Sequence, residues 1–84
     1  MHHTQAIKEI MILQDVTLVE LSRRLGLGSH VAVSSRINSK SGRLDTMVEI
    51  LATMGYEVIV RPRLEGNLPE GEYALRRKDY LEES

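Results

Sequence analysis

The fold is decided by the stretch TLVELSRRLGLGSHVAVSSRIN, which occupies residues 17–38. Its first part, residues 17–25, predicts a short helix. Thr17 and Glu20 have the spacing of a capping box, in which the hydroxyl accepts from the third amide and the carboxylate reaches back to the cap amide. Gly26 follows where this helix should stop, because glycine adopts the left-handed cap conformation without steric cost. One face of the helix is apolar at Leu18, Leu21 and Leu25.

A second short helix is predicted over residues 30–38, after a brief connection that contains Gly28. Ser29 is a suitable N-cap for this helix. Val33 and Ile37 lie about one helical turn apart and should face the core. The other positions are mostly small or polar, and they provide an outward face made of His30, Ser34, Ser35, Arg36 and Asn38.

Two more helices and a β element are predicted around this pair. Residues 4–14 repeat apolar side chains at helical spacing after Thr4, a suitable cap. Residues 44–54 predict a fourth helix with one apolar side, at Leu44, Met47, Val48, Leu51 and Met54. Residues 56–61 are aromatic and β-branched, which predicts a strand, and a second strand at 72–77 would pair with it. The expected fold class is mainly α: four helices with a small C-terminal β-strand or hairpin.

The length of 84 residues fits one domain with one small core. Residues 1–61 form the predicted domain, and residues 62–84 form a C-terminal extension that should fray from residue 78 onward. The chain has three tyrosines but no phenylalanine or tryptophan, so its core must be aliphatic. The lack of cysteine excludes disulfides and thiolate metal sites. Neither a membrane-length apolar run nor a signal peptide is visible, so a cytoplasmic protein without membrane contact is expected.

Charge is distributed unevenly along the chain, although the net formal charge is only −1. Residues 17–43 carry five basic side chains and one acidic side chain, whereas residues 44–84 carry five basic and nine acidic ones. A basic middle joined to an acidic tail suggests one face intended for an anionic partner. A solvated mixture of charges is the simpler alternative.

Two short helices joined by a turn that contains glycine form the skeleton of a helix-turn-helix. In that motif the second helix enters the major groove of DNA and presents its outward side chains to the base edges. Residues 17–26 resemble the second helix and turn of the Cro/C1-type (Xre-like, lambda-repressor-like) helix-turn-helix family. The stretch Ser35-Arg36-Ile37-Asn38 is similar to the end of its recognition helix, and residues 44–60 are similar to its closing helix and strand. The resemblance implies a transcriptional regulator, of the phage or mobile-element repressor type, that binds double-stranded DNA as a homodimer.

The resemblance also implies which residues contact DNA. Arg36 matches the base-reading position of the family, and the base-reading candidates together are Arg36, Ser35, His30 and Ser34. The phosphate-binding candidates are Ser29, Lys40, Arg43 and Arg24. The connection from Gly26 to Ile37 is about two residues longer than the family pattern. Whether Ser34 faces the core or the groove is therefore left open.

The same residues allow other interpretations. Arg36 could equally be a solvated surface side chain. His2 and His3 lack a third metal ligand nearby and are assigned to an unstructured terminus, so neither a metal nor another cofactor is expected. No nucleophile–base pair or phosphate-binding loop is visible, so an enzyme is not expected. The alternative function is a protein–protein interaction module, or an antitoxin-like binder, that uses residues 56–84, where an exposed strand edge could recruit a partner.

Overall fold

All four predicted helices form, close to their predicted bounds. The computed structural model of the chain describes residues 1–81. Its α-helices are α1 (His3–Gln14), α2 (Leu18–Arg24), α3 (His30–Ile37) and α4 (Leu44–Ala52). A short 3₁₀ helix follows at Arg77–Tyr80. The mainly helical fold class is confirmed. The sequence predicted it because each of the four segments repeats apolar side chains at helical spacing.

The predicted N-cap side chains, Thr17 and Ser29, cap the starts of α2 and α3. Thr17 Oγ1 accepts from the Glu20 amide at 3.1 Å. Ser29 Oγ accepts from the amide two residues further on, also at 3.1 Å. The predicted cap at Thr4 is wrong: α1 begins one residue earlier, and His2 caps it by accepting the Thr4 amide at Nδ1, 3.1 Å away.

Three helices end in the same way. Asp15, Gly26 and Gly55 have positive φ angles of 55°, 69° and 80°. After each of them, the amide of the next residue donates to a carbonyl of the preceding helix five positions back, at 2.8 or 2.9 Å. This is the Schellman arrangement, which satisfies carbonyls at a helix end and turns the chain away. The turn at Gly26 sets the direction in which the chain leaves α2 toward α3.

The core is aliphatic, as expected, and lies between the helices. Its fully buried side chains are Ile7, Ile10, Leu21, Val33, Ile37 and Ile50. Helix α4 contributes Met47 and Ile50 to this core, and Met54 joins it from the turn after the helix. The expected apolar side of α4 is partly wrong, since Leu44 is 71 % exposed and Val48 is 42 % exposed. Burial follows the rotation of the helix against α1–α3, and that rotation places Ile50 inside and leaves Leu44 and Val48 outside.

The predicted strands are not formed within residues 1–81. Residues 56–64 run without helix, turn or bend, and no backbone–backbone hydrogen bond is made by residues 57–64. A strand requires a neighbour that shares backbone hydrogen bonds. The expected neighbour, 72–77, lies near without supplying them: Arg61 donates to the Glu72 carboxylate at 2.5 Å through its side chain instead.

The C-terminal extension returns to the start of the chain. The expected second strand ends in the 3₁₀ helix Arg77–Tyr80, and Tyr80 is half-buried against His3 rather than frayed. The remainder of the tail that was expected to fray, residues 82–84, lies outside the described residues. Within residues 1–81, every helix is too short or too polar to cross a membrane.

Candidate nucleic-acid interface

The rotation of α3 is fixed by two side chains on its inner face. Val33 and Ile37 are fully buried, and α3 packs mainly against α2 and also against α1. Because these two residues lie about one turn apart, the opposite face of α3 points to solvent. That face is the outward strip of α3: Val31, Ser35 and Asn38, flanked by Arg36 on one side and Ser34 on the other.

Ser34 lies on a flank of α3, neither in the core nor at the centre of the strip. It is half-buried, and the side-chain nitrogen Nδ2 of Asn38 donates to the Ser34 carbonyl at 2.8 Å and lies 3.2 Å from the Ser34 Oγ. Asn38 thereby closes the last turn of α3. Both the carbonyl and the hydroxyl of Ser34 therefore contact Asn38, which the sequence did not suggest.

Ser35 and Arg36 each carry an unengaged polar side chain on α3. Both side chains are exposed, and among residues 1–81 neither the Ser35 hydroxyl nor the Arg36 guanidinium has a hydrogen-bond or ion-pair partner in the chain. A guanidinium keeps five donors in a fixed planar fork, which matches acceptor pairs such as a phosphate or the guanine edge. Both groups are therefore available to an external ligand.

Val31 is a surface residue that the sequence reasoning missed. Its side chain is 63 % exposed, one turn before Ser35 on the outward strip. An apolar side chain exposed on such a strip offers a contact to an apolar group such as the thymine methyl. The signal was present in the spacing, because a helix that buries Val33 and Ile37 must expose position 31.

The start of α3 presents backbone amides to solvent. Ser29 and His30 are exposed, and Ser29 Oγ is occupied by the Val31 amide. The first amides of a helix lack partners within the helix and carry a partial positive charge. The predicted phosphate position at Ser29 thus has its backbone amide available, whereas its hydroxyl oxygen already serves the helix.

The loop after α3 carries two of the predicted phosphate contacts. The Lys40 side chain is exposed and makes no ion pair within residues 1–81. Arg43 is 80 % exposed and forms an ion pair with Asp45 at 3.0 Å. An exposed pair of this kind contributes about 0–1 kcal/mol, so it is readily exchanged for a phosphate.

Side chains at the start of α1 contact this loop and fix its backbone. His2 Nε2 donates to the Lys40 carbonyl at 2.7 Å, and Thr4 Oγ1 donates to the Ile37 carbonyl at 2.5 Å. Gly42, with φ +63°, packs directly over the ring of His3. The backbone that carries Lys40 is therefore fixed by side chains from α1, although the loop itself is a polar stretch that contains glycine.

His3 is the buried residue of α1 on which this loop packs. It is 3 % exposed, its amide donates to the Tyr80 hydroxyl at 2.9 Å, and its Nδ1 lies 2.8 Å from the same oxygen. Its Nε2 is buried without a hydrogen-bond partner among the described residues. Burial lowers the pKa of His3 below its ordinary value of 6.5, and the nearby His2 lowers the pKa further. The sequence reasoning assigned His2 and His3 to an unstructured terminus, and that interpretation is wrong.

Arg24, which the sequence assigned to phosphate binding, makes hydrogen bonds within the fold. Its Nε donates to the Glu20 carboxylate at 3.1 Å, and its NH1 donates to the Thr53 carbonyl at 3.1 Å, which links α2 to the end of α4. Arg23 binds the same carboxylate. Hydrogen bonds from both arginines lower the pKa of Glu20 to about 2. The Glu20 half of the predicted capping box is therefore not formed, because these arginines occupy the carboxylate.

An open groove of about 490 Å³ runs between α1, the start of α2 and the end of α3. Its lining is mainly aliphatic, and its ionisable side chains are those of Lys8 and Asp15. No group of three or more histidine, cysteine, aspartate or glutamate side chains within residues 1–81 is placed to hold a metal ion. Within residues 1–81, unengaged donors lie on α3 and the loop that follows it, and also at Arg63, Arg77 and Lys78, which line a smaller open groove.

Comparison of this chain with protein-family models, with curated proteins and with solved structures finds no match.

Proposed function

We propose that the chain is a sequence-specific DNA-binding regulator in which α2 and α3 form a helix-turn-helix. The observation that carries this proposal is the outward strip of α3, whose Arg36 and Ser35 side chains have no partner within residues 1–81 and stand beside a supported basic loop. A helix that enters the major groove needs small or polar outward residues and flanking cations. The outward strip of α3 and its loop supply both the small or polar residues and the flanking cations.

Base recognition is assigned to α3. Arg36 can donate two hydrogen bonds to the O6 and N7 atoms of guanine, the most common specific contact in the major groove. Ser35, one turn beyond Val31, can hydrogen-bond to several base edges, while Val31 contacts a thymine methyl. His30 stands at the exposed start of the helix and takes an end position of the recognised site.

Phosphate binding is assigned to the two ends of α3. Lys40 and Arg43 hold the DNA backbone on one side, and the amide of Ser29 donates to a phosphate oxygen at the helix N-terminus on the other. Such contacts fix the register of α3 in the groove without reading sequence. One copy covers little DNA, so we propose that two copies bind two half-sites about one helical turn apart.

The test is selection from a pool of random duplex DNA, repeated at about 50 and 200 mM salt. We expect a palindromic motif, with an affinity that falls steeply as salt rises because phosphate contacts release counterions. Arg36→Ala should lose preference at one base position, at a cost of about 1–3 kcal/mol. Arg63→Ala, which removes one exposed charge outside α2, α3 and their loops, is the matched control and should keep the motif. Absence of binding even at low salt would refute the proposal.

A second candidate function is a protein–protein interaction module of the antitoxin type, and one observation favours it. Residues 58–60 are aliphatic and exposed, and Val60 is 97 % exposed. A surface of this kind suits strand addition by a partner chain. The module predicts partner binding without salt-sensitive DNA affinity, so the DNA selection separates the two functions.

A further inference from the structure

The smaller open groove, of about 290 Å³, lies in the C-terminal extension and is lined by cations. Residues 62–84 carry four basic and six acidic side chains, so their net charge is negative. All four basic side chains nevertheless line this one groove, whose described lining is Arg63, Arg76, Arg77, Lys78 and Leu81. None of the four makes an ion pair within residues 1–81. The fold thus gathers the positive charge of an acidic segment into a single surface, the basic groove.

Two acidic side chains of the same region are bound to other groups. Glu72 accepts from the Arg61 side chain at 2.5 Å. Asp79 accepts from the amino group of Met1, and from the backbone amide of Arg76 at 2.8 Å. These two hydrogen bonds lower the pKa of Asp79 below its ordinary value, so its carboxylate remains charged and bound to them. Neither carboxylate therefore serves as an ion-pair partner for the side chains of the basic groove.

The composition and size of the basic groove indicate the class of its ligand. Three of its four cations are arginines, whose planar forks bind a phosphate by two parallel hydrogen bonds. A cleft lined by charges of one sign also concentrates ions of the opposite sign. Its volume is close to the lower end of small-molecule pockets, about 300–1,000 Å³. A short chain of phosphates places several negative charges in such a space, whereas an acidic peptide carries at most one charge per side chain.

We propose that the basic groove binds the polyphosphate group of a small ligand, either a free polyphosphate or a nucleoside polyphosphate. Arg63 contributes to it from the extended segment after α4, whereas Arg77 and Lys78 contribute from the 3₁₀ helix. Leu81 is 55 % exposed and offers an apolar wall to a group that the phosphates carry. The groove shares no residue with the outward strip of α3, so this inference does not rest on DNA binding.

Isothermal titration calorimetry with inorganic triphosphate, in the absence of divalent cations and DNA, tests the proposal. Arg63→Ala and Arg77→Ala each remove one cation from the basic groove, and Arg63→Lys keeps the charge but loses the planar fork. Lys8→Ala is the matched control, because it removes the same charge from an exposed position on α1 outside the groove. Circular dichroism establishes that the variants keep their helices, which is expected because all three side chains are exposed.

We expect the wild type to bind triphosphate, and Arg63→Ala and Arg77→Ala each to bind it about tenfold more weakly, because a charged hydrogen-bond donor is lost. Arg63→Lys should fall between the wild type and Arg63→Ala, and Lys8→Ala should bind like the wild type. Inorganic phosphate should bind more weakly than triphosphate, since one phosphate meets fewer of the cations. Absence of triphosphate binding, or equal losses for Lys8→Ala and Arg63→Ala, would overturn the proposal.

Two further ligands identify the source of the phosphates and test the rival occupant. Tighter binding of a nucleoside triphosphate than of inorganic triphosphate assigns the Leu81 wall to a nucleoside, and equal binding assigns the groove to a free polyphosphate. Duplex DNA is the rival: if Arg77→Ala weakens DNA binding as strongly as Lys40→Ala, the groove is a DNA contact and the proposal fails. A chain that binds triphosphate but no DNA would refute the helix-turn-helix function and leave this proposal standing.

Discussion

Replacement of Gly42 by alanine is the sharpest probe of the support under the loop that carries Lys40. Gly42 has φ +63°, and a Cβ built there lies 2.8 Å from Cε1 and 3.0 Å from Nε2 of His3. The His3 ring cannot swing aside cheaply, because it is 3 % exposed and bound to the Tyr80 hydroxyl. Gly42→Ala therefore adds a steric conflict to a strained backbone conformation.

Two other glycines separate these costs. Gly28 has no positive φ and nothing within 4 Å of the added Cβ. Gly28→Ala should thus stabilise the protein by about 0.4–1 kcal/mol through the unfolded state. Gly66 has φ +80° and equally open surroundings, so Gly66→Ala carries the left-handed strain alone, about 1–2 kcal/mol before that gain. Gly42→Ala carries the same strain plus about 1–3 kcal/mol of overpacking against His3.

The assay is urea unfolding followed by far-ultraviolet circular dichroism for the three variants and the wild type. We expect the free energy of unfolding to rise for Gly28→Ala, to fall slightly for Gly66→Ala and to fall most for Gly42→Ala. The difference between the last two measures the conflict with His3, because their other terms cancel. Equal losses at Gly42 and Gly66 would show that the loop does not rest on His3.

Further outcomes follow from single contacts. Thr17→Ala should cost about 1 kcal/mol in the free energy of unfolding because the Glu20 amide loses its acceptor, whereas Thr17→Ser should restore most of it in the same urea assay. The lowered pKa of His3 means that the unfolded state binds a proton more readily, so stability should fall as the pH drops below about 6.5. Urea unfolding at about pH 7.5 and pH 5.5 measures this loss, and His3→Gln should remove its share of the pH dependence. Lys40→Ala should weaken binding to all DNA sequences alike and reduce the salt slope of affinity by about one, as measured by fluorescence anisotropy, whereas loss of preference at one base would contradict its assignment.

Local signals in the sequence predicted the helices well. The caps at Thr17 and Ser29 and the stop at Gly26 involve hydrogen bonds between residues that are close in the chain. Such contacts depend on residue type and spacing, both of which a sequence displays. The rotation of α3 also followed from its pattern, because Val33 and Ile37 were apolar at helical spacing in a polar segment.

Contacts between distant residues were the ones that the sequence did not reveal. The support of the 38–43 loop by His2 and His3 joins residues nearly forty positions apart, and no local pattern encodes it. Two histidines beside a chain end resembled an unstructured terminus for that reason. The exposure of Leu44 was missed similarly, because the apolar stripe of α4 is wider than the surface available to bury it.

The bond between Tyr80 and His3 has a consequence for synthesis of the chain. Proteins are made from the N-terminus, at about 5–20 residues per second. All core residues from Ile7 to Met54 have been added before Tyr80 exists, so the helices can assemble while His3 still lacks the hydroxyl that fixes it. A chain that stops before Tyr80 should therefore fold its core but leave the loop around Lys40 without its fixed support. The outward strip of α3 is then completed before its neighbouring basic loop, and the loop becomes rigid only after Tyr80 has joined the fold.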